Sequence, residues 1–310
     1  MQTAIFSHPA CLEHDTGDHP ECADRIQAIH QALEAEQFHM LVREEAPCAT
    51  TDQLNRVHPA DYIDAILNIC PSNDGERVHI DDVTIVSAGS REAMLRAAGG
   101  AVAAVDAVME GWARAAFAAV RPPGHHAGKA EAGGFCLFNN AAVAALHAQQ
   151  RWGVERVAVV DFDVHHGQGT QGIFADNPTL FYASSHQYPL YPGTGFPTER
   201  GVADNICNVI LDPGADGQAF RTAWQDSLLP ALDAFAPGLL IISAGFDAHA
   251  RDPLAHLRLR GDDYAWITDQ LVGIAAKHGG RRVVSTLEGG YDLVGLAESV
   301  AIHVRGLMDA

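Results

Sequence analysis

"RVAVVDFDVHHGQG" (156–169) decides how this chain is read. It opens as an uninterrupted apolar run and closes on two acids, two histidines and two glycines. Such a run predicts a strand over 156–163 that is buried on both faces, as in a parallel sheet. Four other runs share that character: "AAFAAV" (115–120), "TLFYAS" (179–184), "LLIISAG" (239–245) and "RRVVSTLEGG" (281–290). Stretches with helical period lie between some of them. "SREAMLRAAGGAVAAVDAVMEG" (90–111) has Ser90 as its cap and Gly111 as its stop. "NNAAVAALHAQQRWG" (139–153) runs from asparagine caps to Gly153, and "DDYAWITDQLVGIAAKHGG" (262–280) from Asp262 to Gly279. Strands alternating with helices predict an α/β fold with a central, mostly parallel sheet flanked by helices. No linker-like stretch interrupts residues 1–310, so a single domain is expected.

Composition narrows the function classes. The chain is 47% hydrophobic and 19% charged, which is enough apolar material for a buried core. Its net charge of −19 counts against direct nucleic-acid binding, which needs a basic face. The same charge suits cationic partners, although solubility alone also accounts for it. Six cysteines (11, 22, 48, 70, 136 and 207) show no CxxC spacing, so reduced thiols are expected rather than a thiolate zinc site or a disulfide framework. "MQTAIFSHPACLEHD" lacks the basic and apolar regions of a secretory signal, and no apolar run reaches the ~18 residues of a membrane span. A cytoplasmic protein without membrane association is the expectation.

In parallel sheets, ligands bind beyond the carboxyl ends of the strands. Here those ends carry "RPPGHHAG" (121–128), "DFDVHHGQG", "AGFDAHARD" and "EGGYD". If the strand continues through 163–165, side chains alternate, so Asp161, Asp163 and His165 share a face and His166 points away. Asp163 and His165, with Asp247 from another strand end, then form an oxygen-rich set suited to a divalent cation such as zinc, with positions left open for catalysis. Pro-Pro-Gly makes the second histidine pair part of a rigid loop. Hydrolysis needs a base and an acid, and either His125 or His126 meets that need, with Asp161 available to fix a tautomer. Tyr291, after two glycines, is placed to donate to a developing oxyanion. Phe135 and Tyr191 can wall a narrow apolar channel.

Together these motifs resemble the histone deacetylase superfamily, most closely its class II members and bacterial relatives such as the acetylpolyamine amidohydrolases. The matching pieces, in family order, are "RPPGHHA", "GFCLFNN", "DFDVHHGQGTQGIF", "YPGTG", "SAGFDAHARDP" and "LEGGYD", preceded by "DHPE" (18–21) and Arg25. The resemblance implies an arginase/deacetylase-type α/β fold. It also implies one catalytic Zn2+ per chain on Asp163, His165 and Asp247. It implies His126 as general base and acid, His125 as its partner with Asp161 behind it, and Tyr291 as the group that polarises the carbonyl. Phe135 and Tyr191 match the aromatics that line the acyl-lysine tunnel. A monovalent cation, K+ among the candidates, is implied near Asp161, Asp163, His165, Ser184 and Ser185. Two positions depart from the pattern: Gln168 stands where Asp or Asn is frequent, and Tyr191 where Phe is more frequent.

The expected substrate is an acyl-lysine peptide or protein, because Leu254 replaces the glutamate that polyamine-selective relatives can carry. An acetylated polyamine is the alternative. "DAHARD" is also similar to an arginase motif, which leaves a di-metal ureohydrolase as a rival, and an inactive acyl-lysine binding module on the same fold is another. An oligomer is compatible with all of these.

Overall fold

The computed structural model describes residues 2–309. Its strands in chain order are β1 (Gln2–Ser7), β2 (Val42–Glu45), β3 (Arg77–His79), β4 (Ile85–Ser87), β5 (Ala113–Ala118), β6 (Val157–Asp161), β7 (Leu180–Gln187), β8 (Ile206–Leu211), β9 (Leu239–Ala244) and β10 (Val283–Leu287). Eight of them form one sheet in the order β2-β1-β5-β10-β9-β6-β7-β8, and every pairing in it is parallel. β3 and β4 make a separate antiparallel pair.

The apolar runs are explained by burial on both faces. Val157 and Val159 of β6, with Leu239 and Ile241 of β9, join one core beneath the helices Ser90–Glu110 and Asn140–Trp152. Ala158 and Val160, with Leu240 and Ile242, join a second core on the opposite face, beneath Gly261–His278 and Leu293–Met308. With both sides covered, alternation leaves no polar face to interrupt the run. No helix among the described residues is long and apolar enough to cross a membrane.

All five expected strands are present, with shifted ends. β6 stops at Asp161 and β10 at Leu287, whereas β7 runs on to Gln187. Three sheet strands, β1, β2 and β8, lie outside the runs read from sequence. The helix stops at Gly111 and Gly153 hold, both in the left-handed region at φ 82 and 66. Asn139 caps its helix by accepting from Ala142 N at 2.9 Å. Two cap assignments are corrected. Ser90 lies inside its helix, with Gly89 at the cap, because the Ser90 hydroxyl is committed to Ser87 N and His14 Nδ1, both at 2.7 Å. Asp262 is likewise inside its helix: Arg260 takes the cap position, and the Asp263 carboxylate accepts its N–H at 3.0 Å.

Candidate active site

Four neighbouring central strands, β5, β10, β9 and β6, end in the loops that carry His125 and His126, Tyr291, Asp247, and Asp163 with His165. The sheet therefore brings residues up to 166 positions apart onto one rim (125 to 291).

Asp163, His165 and Asp247 are buried, and each offers a ligand atom within 4.8 Å of the others. His165 Nδ1 lies 3.1 Å from Asp163 Oδ1 and 3.0 Å from Asp247 Oδ2. The alternating strand expected through 163–165 is absent, because β6 has ended at Asp161. Side chains folded back onto the main chain set the positions instead. Asp161 Oδ1 accepts from Asp163 N at 3.1 Å, and Asp163 Oδ1 accepts from His165 N at 2.9 Å. Asp247 Oδ1 accepts from Val164 N at 2.8 Å, and Asp163 Oδ2 accepts from Gly289 N at 2.8 Å. A Cβ on Gly289 would lie 2.2 Å from Asp247 Oδ2, so only glycine lets the main chain come this close.

The electrostatics favour positive charge at this point. Burial alone would lower the pKa of His165, but its hydrogen bonds to Asp163 and Asp247 and their charges raise it to about 10. Burial and the Asp163 charge push Asp247 up to about 7. Two carboxylates and an imidazole, desolvated together, fit a divalent cation of intermediate hardness.

The other histidine pair divides into two environments. His125 Nδ1 is 3.0 Å from Asp161 Oδ2, which also accepts from the Tyr182 hydroxyl at 2.9 Å. Glu288 Oε2 accepts the main-chain N–H groups of Gly124 at 2.7 Å and His125 at 3.1 Å. Burial opposes charge on His125, yet Asp161, Asp163 and Glu288 raise it to about 10. His126 is driven well below its ordinary value, first by burial and then by the positive neighbours His125 and His165. Its Nδ1 meets Gln168 Oε1 at 2.7 Å. The pair is thus one cationic and one neutral imidazole, with ring centroids 3.9 Å apart. His126 stands 5.9 Å from His165, centroid to centroid.

His166 faces away from the cluster of Asp163, His165 and Asp247, as the alternation argument expected. Its ring nitrogens pair with Thr194 Oγ1 and Gln171 Oε1, each at 2.8 Å. Tyr291 is held by Asp252, whose Oδ2 accepts its N–H at 2.8 Å, and its ring lies 5.0 Å from the Arg25 guanidinium carbon. Arg25 in turn donates to the carbonyls of Gly290 at 2.7 Å and Glu288 at 2.5 Å. The Phe135 ring stands edge-on to Tyr291 at 5.8 Å, and Tyr191 edge-on to His126 at 5.0 Å. The two expected tunnel aromatics therefore touch the two reactive-type side chains.

Leu254 is partly buried, and its N–H donates to Asp252 at 3.0 Å, on the loop that holds Tyr291. Ser184 is the cross-strand partner of Asp161. Its hydroxyl pairs with His186 Nδ1 at 2.9 Å, and Ser185 Oγ accepts from Trp224 Nε1 at 3.0 Å. Sequence reasoning passed over Glu288, Tyr182 and Asp252. Glu288 gave a signal, being an acid between a buried strand and two glycines. Tyr182 gave none, since its reach to Asp161 depends on strand register.

A metal held by two carboxylates and one imidazole, beside a neutral and a cationic histidine, is equipped for hydrolysis of a carbonyl compound. The histone deacetylase domain family matches residues 19–307. A histone deacetylase-like amidohydrolase from Pseudomonas aeruginosa is 36% identical, over 94% of this chain and 82% of that one. The polyamine deacetylase HDAC10 of Mus musculus is 35% identical, over 93% of this chain and 45% of its own length. The crystal structure of the HDA15 HD domain has a TM-score of 0.93 at 34% identity, covering 99% of this chain and 90% of that one. With the family match running over nearly the whole length and the fold shared throughout, the chain belongs to the histone deacetylase family.

Proposed function

We propose that this chain is a Zn2+-dependent amidohydrolase that removes acetyl or related acyl groups from lysine side chains. One observation carries the reading: His125, bonded to Asp161, and His126, bonded to Gln168, stand side by side next to the buried Asp163, His165 and Asp247 set at one rim of the sheet. Those three residues would hold the ion. When bound, zinc supplies Lewis acidity to the amide carbonyl and to water.

The chain's own residues supply the rest. Neutral His126 accepts the proton of the attacking water at its free ring nitrogen. The Tyr291 hydroxyl, kept protonated by burial, donates to the oxyanion as it forms. His125 stays charged against Asp161, which favours negative charge growing nearby. The departing amine takes its proton from the imidazolium left on His126. Phe135 and Tyr191 hold the aliphatic stem of the substrate between apolar faces and limit water access.

An acetylated polyamine is the second reading, supported by the net charge of −19 and by the polyamine-deacetylating relative. Leu254 brings no carboxylate to read a distant ammonium, which favours acyl-lysine. The deciding experiment compares kcat/KM on an acetyl-lysine peptide and on acetylputrescine with the same zinc-loaded preparation. The peptide is expected to be the better substrate, and a clear preference for acetylputrescine would reverse the assignment. Two Mn2+ per chain would favour the ureohydrolase instead. Zinc bound without any amidase activity would favour the binding module.

A further inference from the structure

We propose that Thr84, in the turn between β3 and β4, is a positioning residue that holds Phe135 in a strained main-chain conformation and thereby sets the place of its ring. The inference rests on the reading of Phe135 as a wall of the substrate tunnel.

Phe135 sits in an unusual turn. Gly133 and Cys136 exchange both of their main-chain hydrogen bonds, each at 3.0 Å. The two residues between them, Gly134 and Phe135, have φ of 56 and 71. Positive φ at both central positions is the pattern of a type I′ turn, whose second central residue is ordinarily glycine. A phenylalanine there is strained, because its Cβ crowds a main-chain carbonyl oxygen. Such strain persists only where the surroundings over-determine it. Glycine would relieve the strain but would bring no ring. The ring stands edge-on to His19 at 4.6 Å and to Tyr291 at 5.8 Å. His19 is itself fixed, since its Nδ1 accepts from Glu21 N at 3.0 Å.

Thr84 grips the main chain of that turn. The Phe135 N–H donates to Thr84 Oγ1 at 3.2 Å. Thr84 is buried, and its hydroxyl gives its one hydrogen to Asp81 Oδ2 at 3.0 Å. A lone pair is therefore left facing the Phe135 N–H. Asp81 Oδ1 also accepts from Val83 N at 2.8 Å and Thr84 N at 2.6 Å, and Ile80 N donates to the Thr84 carbonyl at 2.8 Å. The oxygen that meets Phe135 is thus fixed in both place and direction. The β3–β4 pair, which adds no strand to the central sheet, acts as a bracket for the tunnel wall.

The test is a kinetic cycle on the zinc-loaded protein with an acetyl-lysine peptide. Thr84→Val keeps the side-chain shape and removes the oxygen. It is expected to raise KM by about fivefold, the worth of one ordinary hydrogen bond. kcat should not change, because a wall touches the substrate stem equally in ground and transition states. Thr84→Ser restores the hydroxyl and should restore KM. In a Phe135→Gly background, with no ring to place, Thr84→Val should add nothing to KM. An unchanged KM in Thr84→Val, an equal loss in both backgrounds, or a loss that Thr84→Ser shares would overturn the proposal. A second arm does not depend on turnover. In protein labelled with 15N-phenylalanine, the Phe135 amide should exchange slowly with solvent in the wild type and at least fivefold faster in Thr84→Val, with Phe117 and Phe162 unchanged. A wild-type Phe135 amide that exchanges as fast as an open chain refutes the hold, whatever the variants do. Absence of turnover with this exchange pattern intact would refute the deacetylase reading alone.

Discussion

Glu21 offers the sharpest test of what holds the site together. It is fully buried and surrounded by cations: Arg121 donates to it at 2.5 and 2.8 Å, and Arg25 at 3.1 Å. His14 Nε2 is also 3.5 Å away, but burial lowers that histidine to about 4, so at neutral pH it adds no charge. Burial alone would raise Glu21. The charge and hydrogen bonds of Arg121, with the charge of Arg25, outweigh it and bring the carboxyl from 4.5 down to about 2, His14 joining them only in acid once it is protonated. At about 1.4 kcal/mol per pH unit, that difference is roughly 3 kcal/mol of stability at neutral pH. It agrees with the ~3–5 kcal/mol cost of breaking a buried ion pair by removing one partner.

Glu21→Gln should therefore lower the urea midpoint by the equivalent of about 3 kcal/mol at pH 7 with little change in slope. The sign with pH follows from the depressed value: the stabilisation is fully present above the unfolded pKa of 4.5 and is lost as pH falls toward 2. The mutant and wild-type curves should converge across that window. Because Arg25 also grips the carbonyls of Glu288 and Gly290, the same substitution should reduce kcat through a looser Tyr291 loop. A midpoint unchanged at pH 7, or a difference that persists undiminished at pH 2–3, would refute the reasoning.

His126→Ala should lower kcat by about 10²–10⁴-fold while zinc content by elemental analysis stays at one per chain. Loss of zinc in that variant would mean that the two histidine pairs are assigned the wrong way round. Tyr291→Phe should cost about 10²–10³-fold in kcat, with zinc and KM retained. Gly289→Ala should weaken zinc binding, read by competition with a chelating dye, because its Cβ would lie 2.2 Å from Asp247 Oδ2.

Much of this architecture was legible in the sequence, for a physical reason. Interior parallel strands are buried on both faces, so β5, β6, β7, β9 and β10 announce themselves as apolar runs. The edge strands do not. β2 is "VREE", largely exposed, and β8 is "ICNVIL", with an asparagine in its middle. β1 is read poorly because its run is short. The different surroundings of the two histidine pairs were also legible, but the local argument for them was only half right. His166 does point away and Asp163 and His165 do converge, yet side chain-to-backbone turns place them rather than strand alternation. The partners behind the site, Glu288, Tyr182 and Asp252, were passed over because their roles depend on which loops the sheet order brings together.

A deacetylase that works with a single ion has a direct test in one titration. Acetate release from an acetyl-lysine peptide is followed while Zn2+ is added back to metal-stripped protein. Activity should rise in proportion to added zinc and saturate at one equivalent per chain, as expected for one site formed by Asp163, His165 and Asp247. Saturation at two equivalents, or no acetate at any ratio, would contradict the account.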